Sequence, residues 1–225
     1  MIKPVLRKIK RLANKIFGTR VDELYWEYRH IFDKKWAESY ISKQTIEHPH
    51  GKILIDAISK YFPFESILEI GCASGPNLYL LSKEFPEVKF YGIDISKKAV
   101  KTGNEFLKKE NVNNVFLSPG KAEELKNFQD KSIDVIFTVA TLIYQGPERI
   151  EPLIKEMLRV AKKSLILCEQ HSSDSQFFYK DLWIYDYKSL FSKFIPEKRI
   201  TITKLPSESE GEDWGKFGYI IEVLL

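Results

Sequence analysis

The chain has 225 residues, 44% hydrophobic and 29% charged, with a formal net charge of +4. That is enough for one globular domain with an ample core and a modest appendage, and the charge is too mild for a surface committed to nucleic acid. No apolar run approaches the roughly 18 residues of a membrane span. No apolar core of a secretory signal follows the basic N-terminus. Two cysteines, Cys72 and Cys168, are too few for a disulfide or metal framework, so a reducing cytoplasm is the expected setting.

Residues 1–20 read as a basic amphipathic helix. Ile2, Val5, Leu6, Ile9, Leu12, Ala13, Ile16 and Phe17 share one helical face, with Lys3, Arg7, Lys8, Lys10, Arg11 and Lys15 opposite. The pattern fits two roles: an interfacial helix on an anionic membrane, or a helix packed on the domain with its basic face in water. Residues 21–62 read as a helical N-terminal cap or lid. Tyr25, Tyr28, Phe32, Trp36 and Tyr40 recur at spacings of three and four, which predicts a helix over 21–43. The stretch Glu47-His48-Pro49-His50-Gly51 then breaks the chain. A third helix is predicted as far as Phe62, with Ile53, Leu54, Ala57, Ile58 and Tyr61 on its buried side.

After Pro63 the rhythm changes, and residues 63–225 read as one domain. Strands are predicted at 66–70, 88–93, 115–118, 133–138 and 164–169. Helices are predicted at 77–85, 97–109 and 147–161, with a short turn near 122–126. Ser96 suits an N-cap and Pro147 the first turn of a helix. Continuous Ile/Leu/Val strands alternating with helices imply a parallel sheet buried on both faces. The end differs: Arg199–Lys204 and Phe217–Leu225 read as two strands with no helix between them, joined through an acidic loop at 207–213. They should pair antiparallel at the sheet edge. The expected fold is a seven-stranded, mostly parallel α/β sheet with an antiparallel C-terminal hairpin, preceded by N-terminal helices.

The chemistry concentrates in Ser66-Ile-Leu-Glu-Ile-Gly-Cys-Ala-Ser-Gly-Pro-Asn77 and Phe90-Tyr-Gly-Ile-Asp94. Each strand runs to a carboxylate near its end. Between them, Gly71-Cys72-Ala73-Ser74-Gly75 lets a backbone turn approach a ligand closely. The helix that begins near Asn77 offers its N-terminus to an anion. Glu69 would repel a pyrophosphate but suits a ligand carrying an ammonium group, and Pro76 stands where a dinucleotide fingerprint wants glycine. S-adenosylmethionine carries an ammonium, a sulfonium, a carboxylate and a ribose diol. Glu69 can meet its amino end, the glycine turn its carboxylate, Asp94 both ribose hydroxyls and Ile95 the adenine face.

Here the chain resembles the class I S-adenosylmethionine-dependent methyltransferases, well over 64–170 and loosely in the C-terminal hairpin. The family's first motif appears as Glu69-Ile-Gly71-Cys-Ala73-Ser-Gly75, where alanine replaces the middle glycine and is expected to keep a negative φ. The resemblance implies a Rossmann-like fold, S-adenosyl-L-methionine as cofactor and methyl transfer as the activity. It implies that Ala122 and Glu123 of Gly120-Lys-Ala-Glu123 face the adenine, with Lys121 where an aspartate is usual. It places the strand end Val139-Ala140-Thr141 beneath the methionine moiety and turns Tyr144 toward the site.

Transfer to oxygen or nitrogen needs proximity and a base for the acceptor's proton. The candidates are His48, His50, His171, Glu169 and Tyr144. Family members often place a cofactor lid where His48 and His50 lie. No signature of amino-group methylation, no nucleophilic cysteine context and no carboxylate cluster for a metal is present. Phe177, Phe178, Tyr179, Trp183–Tyr187 and Trp214 serve either as core or as the wall of an acceptor pocket. The layout resembles small methyltransferases of glycan biosynthesis. It implies O-methylation of a small-molecule or glycan acceptor; the basic amphipathic face of residues 2–17 would suit a lipid-linked one at an anionic membrane, and nucleic acid is not expected as a partner. An RNA methyltransferase and a non-catalytic cofactor-binding module are the alternatives.

Overall fold

A computed structural model gives the fold and describes residues 20–174, 177–179, 182–206 and 212–225. The basic segment 2–17 lies outside the described residues. Helices α1 (Arg20–Phe32), α2 (Trp36–Tyr40), α3 (Lys43–Ile46) and α4 (His50–Ser59) precede the sheet domain. There follow β1 (Ser66–Ile70), α5 (Pro76–Glu84), β2 (Lys89–Asp94), α6 (Lys97–Lys109) and β3 (Val115–Pro119). A 3-10 turn (Ala122–Asn127) leads to β4 (Ile133–Val139), and a second (Leu142–Tyr144) to α7 (Pro147–Val160) and β5 (Ala161–Gln170). The chain ends with β6 (Phe177–Tyr179), β7 (Leu182–Ile184), α8 (Tyr187–Ser192), β8 (Ile200–Lys204), α9 (Glu212–Phe217) and β9 (Gly218–Leu224).

The seven-stranded sheet has the order β3-β2-β1-β4-β5-β9-β8. The first five strands run parallel, and β9 is antiparallel to both β5 and β8. Alternate residues of each strand feed opposite faces. Leu68, Ile70, Ile136, Leu165 and Leu167 pack with α7 and with Tyr185, Tyr187 and Phe191. Ile67, Phe90, Val135, Phe137 and Ile166 pack with Leu54, Ile58, Leu78 and Leu81 of α4 and α5. Burying each such side chain contributes about 1.5–3 kcal/mol. Ser96 caps α6, its hydroxyl accepting from Ala99 N at 3.3 Å, and Pro147 opens α7.

The cap differs from the single helix expected over 21–43. Tertiary packing divides it into three. The chain turns at Asp33–Lys35 so that Trp36 and Ala37 bury against Ala99 of α6. Ser42 then starts α3 by accepting from Thr45 N at 3.4 Å. Helix α4 ends at Ser59 rather than Phe62, because a residue before proline is driven out of the helical region. The terminal strands are joined through α9, so the reading of 207–213 as loop fails at its last two residues. The hairpin β6–β7 and helix α8 follow β5 without having been foreseen.

Candidate active site

Strand β1 has β2 on one side and β4 on the other, and the chain leaves it in both directions. Ligands of open α/β sheets bind in the crevice at such a switch point, beyond the carboxyl ends of the strands. A cavity of about 240 Å3 lies there. It brings together Glu69, Gly71, Cys72, Ala73, Asn77, Asp94, Ile95, Ala122, Glu123, Ala140 and Tyr144 of the residues singled out in the sequence. Gly75 stands behind them as the left-handed N-cap of α5.

The turn after β1 is tied to β2: Gly71 N and Cys72 N both donate to Ile93 O, at 2.8 and 3.1 Å. Gly71 has φ 76°, and a Cβ there would stand 2.2 Å from Thr141 Oγ1. Only glycine fits that backbone. Ala73 corrects the expectation of a negative φ, since its φ is 48°. The cause is Asp94, whose Oδ2 accepts from Ala73 N at 2.9 Å while Oδ1 accepts from Ser96 N at 2.8 Å. A left-handed alanine costs about 1–2 kcal/mol, partly offset by the greater freedom of an unfolded glycine. Ala73→Gly should therefore raise stability by about 0.5 kcal/mol in urea denaturation and leave cofactor affinity unchanged.

Glu69 is fully buried. Its Oε1 accepts from Asn77 Nδ2 at 2.7 Å, while Oε2 faces no hydrogen-bond partner. Burial, then the nearby charge of Asp94, pushes its carboxyl up to about 8 against the opposing Asn77 bond. A buried acceptor left unmade is costly, and a ligand ammonium would satisfy it. Burial also raises Asp94, opposed by the two backbone N–H groups. Each Asp94 oxygen keeps a lone pair for a ribose hydroxyl. The residues present thus fit a cofactor with an amino end and a nucleoside end.

The cap roofs the cavity with residues that sequence reading had not placed at the site. Asp22, Glu23 and Trp26 of α1, with Trp36 and Tyr40 of α2, line the cavity from above. Glu23 pairs with Lys121 at 2.8 Å and with Arg149, which closes the cavity beside Ala122 and Glu123 and gives Lys121 a partner within the protein. Trp26 meets Tyr144 edge-on at 5.0 Å, and the Arg29 guanidinium lies over both Trp26 and Trp36. In the sequence, Asp22 and Glu23 look like ordinary acids of a first helical turn, so nothing marked them.

The candidate bases separate. Tyr144 lines the cavity, and burial pushes its hydroxyl far above the ordinary range, so it stays a phenol and a donor. Glu169 lies behind the cavity wall, fully buried. Its Oε1 accepts from Thr138 Oγ1 at 2.8 Å, Thr141 N at 2.9 Å and Leu142 N at 3.0 Å. It anchors the turn that carries Tyr144. His171 is buried away from the cavity, its Nδ1 3.1 Å from Tyr185 O and 3.3 Å from Tyr187 N, its ring between Tyr187 and Tyr219. Tyr185 and Tyr187 are core. His48, His50 and Trp214 line a second cavity, which meets the first at Pro76, Asn77, Val139 and Ala140.

A family described as "Methyltransferase domain" matches residues 63–220. Demethylmenaquinone methyltransferase of Geobacillus kaustophilus is 29% identical over 191 residues, covering 83% of this chain and 73% of the relative. Its counterpart in Geobacillus stearothermophilus is 30% identical over 110 residues, 48% of this chain and 46% of the relative, so that match spans about half of the relative's length. Magnesium protoporphyrin IX methyltransferase from Synechocystis PCC 6803, solved with bound S-adenosylmethionine, shares the fold. Its TM-score is 0.64 at 14% identity, covering 92% of this chain and 96% of that one. With the turn, the two strand-end carboxylates and the sheet order in place, the chain belongs to the S-adenosyl-L-methionine-dependent methyltransferases, and S-adenosyl-L-methionine is its cofactor.

Proposed function

We propose that the protein methylates an oxygen of a small-molecule or glycan acceptor. The observation that carries the reading is the junction of the two cavities at Asn77, Val139 and Ala140, with imidazoles on the far side. Among the described residues that far side carries imidazoles and no carboxylate to dock an amino group. On this reading Glu69 holds the cofactor's amino end, and the Gly71–Gly75 turn with the N-terminus of α5 holds its carboxylate. Asp94 takes the ribose, and Ile95, Ala122 and Glu123 border the adenine. When bound, the cofactor supplies an electrophilic methyl group on a sulfonium. The protein's part is to enclose it beneath Trp26 and Trp36, orient the acceptor and take up its proton.

The reading extends to a cytoplasmic protein that touches an anionic membrane through residues 2–17, where a lipid-linked acceptor would be met. The test has two arms. Tritium-labelled methyl from the cofactor is followed into a panel of phenols, alcohols and methyl glycosides, with the attacked atom identified by mass spectrometry. An O-methyl product is expected; methyl on carbon, on nitrogen or on RNA sinks the reading. Sedimentation with anionic vesicles should pull down the full chain and leave a chain starting at residue 20 in solution.

A further inference from the structure

The second cavity has a volume of about 230 Å3 and lies between α3–α4, the start of α5, the end of β4 and α9. We propose that it is the acceptor site and that it takes a neutral aromatic ring bearing a hydroxyl, a phenol or a quinol, with His50 as the group that receives the hydroxyl proton. The inference rests on the methyl-transfer reading and adds the place, the class of acceptor and the base.

Its position comes from the wall. Pro76, Asn77, Val139 and Ala140 face both cavities, so an acceptor in the second lies next to whatever fills the methionine end of the first. Ala140 holds this wall in an unusual backbone, with φ 51°, its N–H donating to Cys168 O at 3.0 Å. Non-glycine residues in the left-handed region persist where the surroundings enforce them, and they cluster at functional sites. Here the strained residue is one of the four that face both cavities.

The ligand class comes from the lining. Among the described residues it carries no Lys, Arg, Asp or Glu. A phosphate would find no fixed cation and an amine no carboxylate. Trp214 contributes an aromatic ring, and Leu80, Pro76 and Val139 contribute apolar surface. Thr45, Asn77 and the imidazoles supply the few polar groups that orient a ring.

The base comes from the local geometry. His50 N donates to His48 Nδ1 at 3.3 Å, which fixes His48 at the start of α4. His50 Nδ1 lies 4.0 Å from Cys168 Sγ at the end of β5. The tautomer protonated at Nδ1 donates toward that sulfur and carries its lone pair on Nε2. In the reaction the hydroxyl proton passes to the His50 imidazole and the phenolic oxygen forms the new bond to carbon. The carbon–sulfur bond breaks, leaving its electron pair on sulfur as a neutral thioether.

Titration of hydroquinone into the full chain loaded with S-adenosylhomocysteine, followed by nitrogen-15 NMR, tests this. Expected are shifts of the His48 and His50 imidazoles and of the Trp214 indole, with His30 and His171 unmoved. Leu80→Phe narrows the cavity, since a Cβ at Gly51 would already stand 2.7 Å from Leu80 Cδ1. It should weaken hydroquinone binding at least tenfold and leave S-adenosylhomocysteine affinity by calorimetry within twofold. Trp214→Ala should do the same, which guards against a Leu80 variant that misfolds. Shifts at Trp26 or Trp36 instead, binding that survives both variants, methyl glucoside binding where hydroquinone does not, or silence from every probe overturns the proposal. Failure of S-adenosylhomocysteine itself to bind overturns the methyl-transfer reading beneath it.

Discussion

Binding of S-adenosyl-L-methionine should tighten about tenfold per pH unit between roughly pH 5.5 and 7, and Glu69→Gln should flatten that rise. Glu69 sits at the end of β1 with one oxygen on Asn77 and the other facing no partner. Burial holds its carboxyl up at about 8, so the unliganded protein carries it protonated across this range. An ammonium set against it favours the carboxylate, and binding must then expel one proton. A reaction that releases a proton is driven by rising pH, which gives the sign. Calorimetry in two buffers of different ionisation enthalpy reads the proton count directly. Release of close to one proton near pH 6, lost in Glu69→Gln, is expected. A flat affinity with no proton released would show that Glu69 does not meet the amino group.

The same carboxyl acts on folding in the opposite sense. Its folded value lies above the ordinary carboxylate value of 4.5, so the native state binds the proton more tightly than the unfolded chain does. Stability from this group is fully present below about 4.5 and falls as pH rises toward about 8. The slope is at most about 1.4 kcal/mol per pH unit. Glu169, raised to about 7, adds a slope of the same sign below neutrality. The unliganded protein is therefore expected to lose stability between about pH 5 and 7, and saturating cofactor to recover part of it.

What the sequence made legible was whatever local chemistry determines alone. The strand β1 and the helix α6 lie where expected because an Ile/Leu run broken only by Glu69 and an N-capping serine need no distant partner. The two strand-end carboxylates and the glycine turn come together because the parallel order brings β1 and β2 side by side. The individual residues of the roof were not legible. Glu23 takes its place through ion pairs to Lys121 and Arg149, 98 and 126 residues away in the chain, and Trp26 through its ring contact with Tyr144. Ala73 shows the limit within a motif: its left-handed backbone is imposed by a bond to Asp94, on another strand. The aromatic run after β5 was ambiguous for a related reason. Tyr185 and Tyr187 became core because α8 folds back over α7, which no spacing within 183–187 announces.

Glu169→Ala is expected to cost about 3–5 kcal/mol of stability and to weaken cofactor binding, whereas Glu169→Gln should cost no more than about 1 kcal/mol. Glu169 Oε1 accepts three donors: the Thr138 hydroxyl and the N–H groups of Thr141 and Leu142. Removing the carboxylate strands all three in a buried place, each worth about 1–3 kcal/mol when left unmade. The turn Leu142–Tyr144 then loses the anchor that aims Tyr144 into the cavity and against Trp26. Glutamine keeps a carbonyl oxygen in the same position. Near pH 6 it also resembles the native side chain in charge, because the carboxyl is held up at about 7 chiefly by burial. The pair of variants therefore separates an anchor from a base. A base would lose turnover in the glutamine variant with stability and cofactor binding intact. An anchor loses stability and binding together in the alanine variant and keeps turnover in the glutamine one. Urea denaturation, calorimetry with S-adenosylhomocysteine and turnover, each measured on both variants, give the answer, and the three hydrogen bonds on one oxygen favour the anchor.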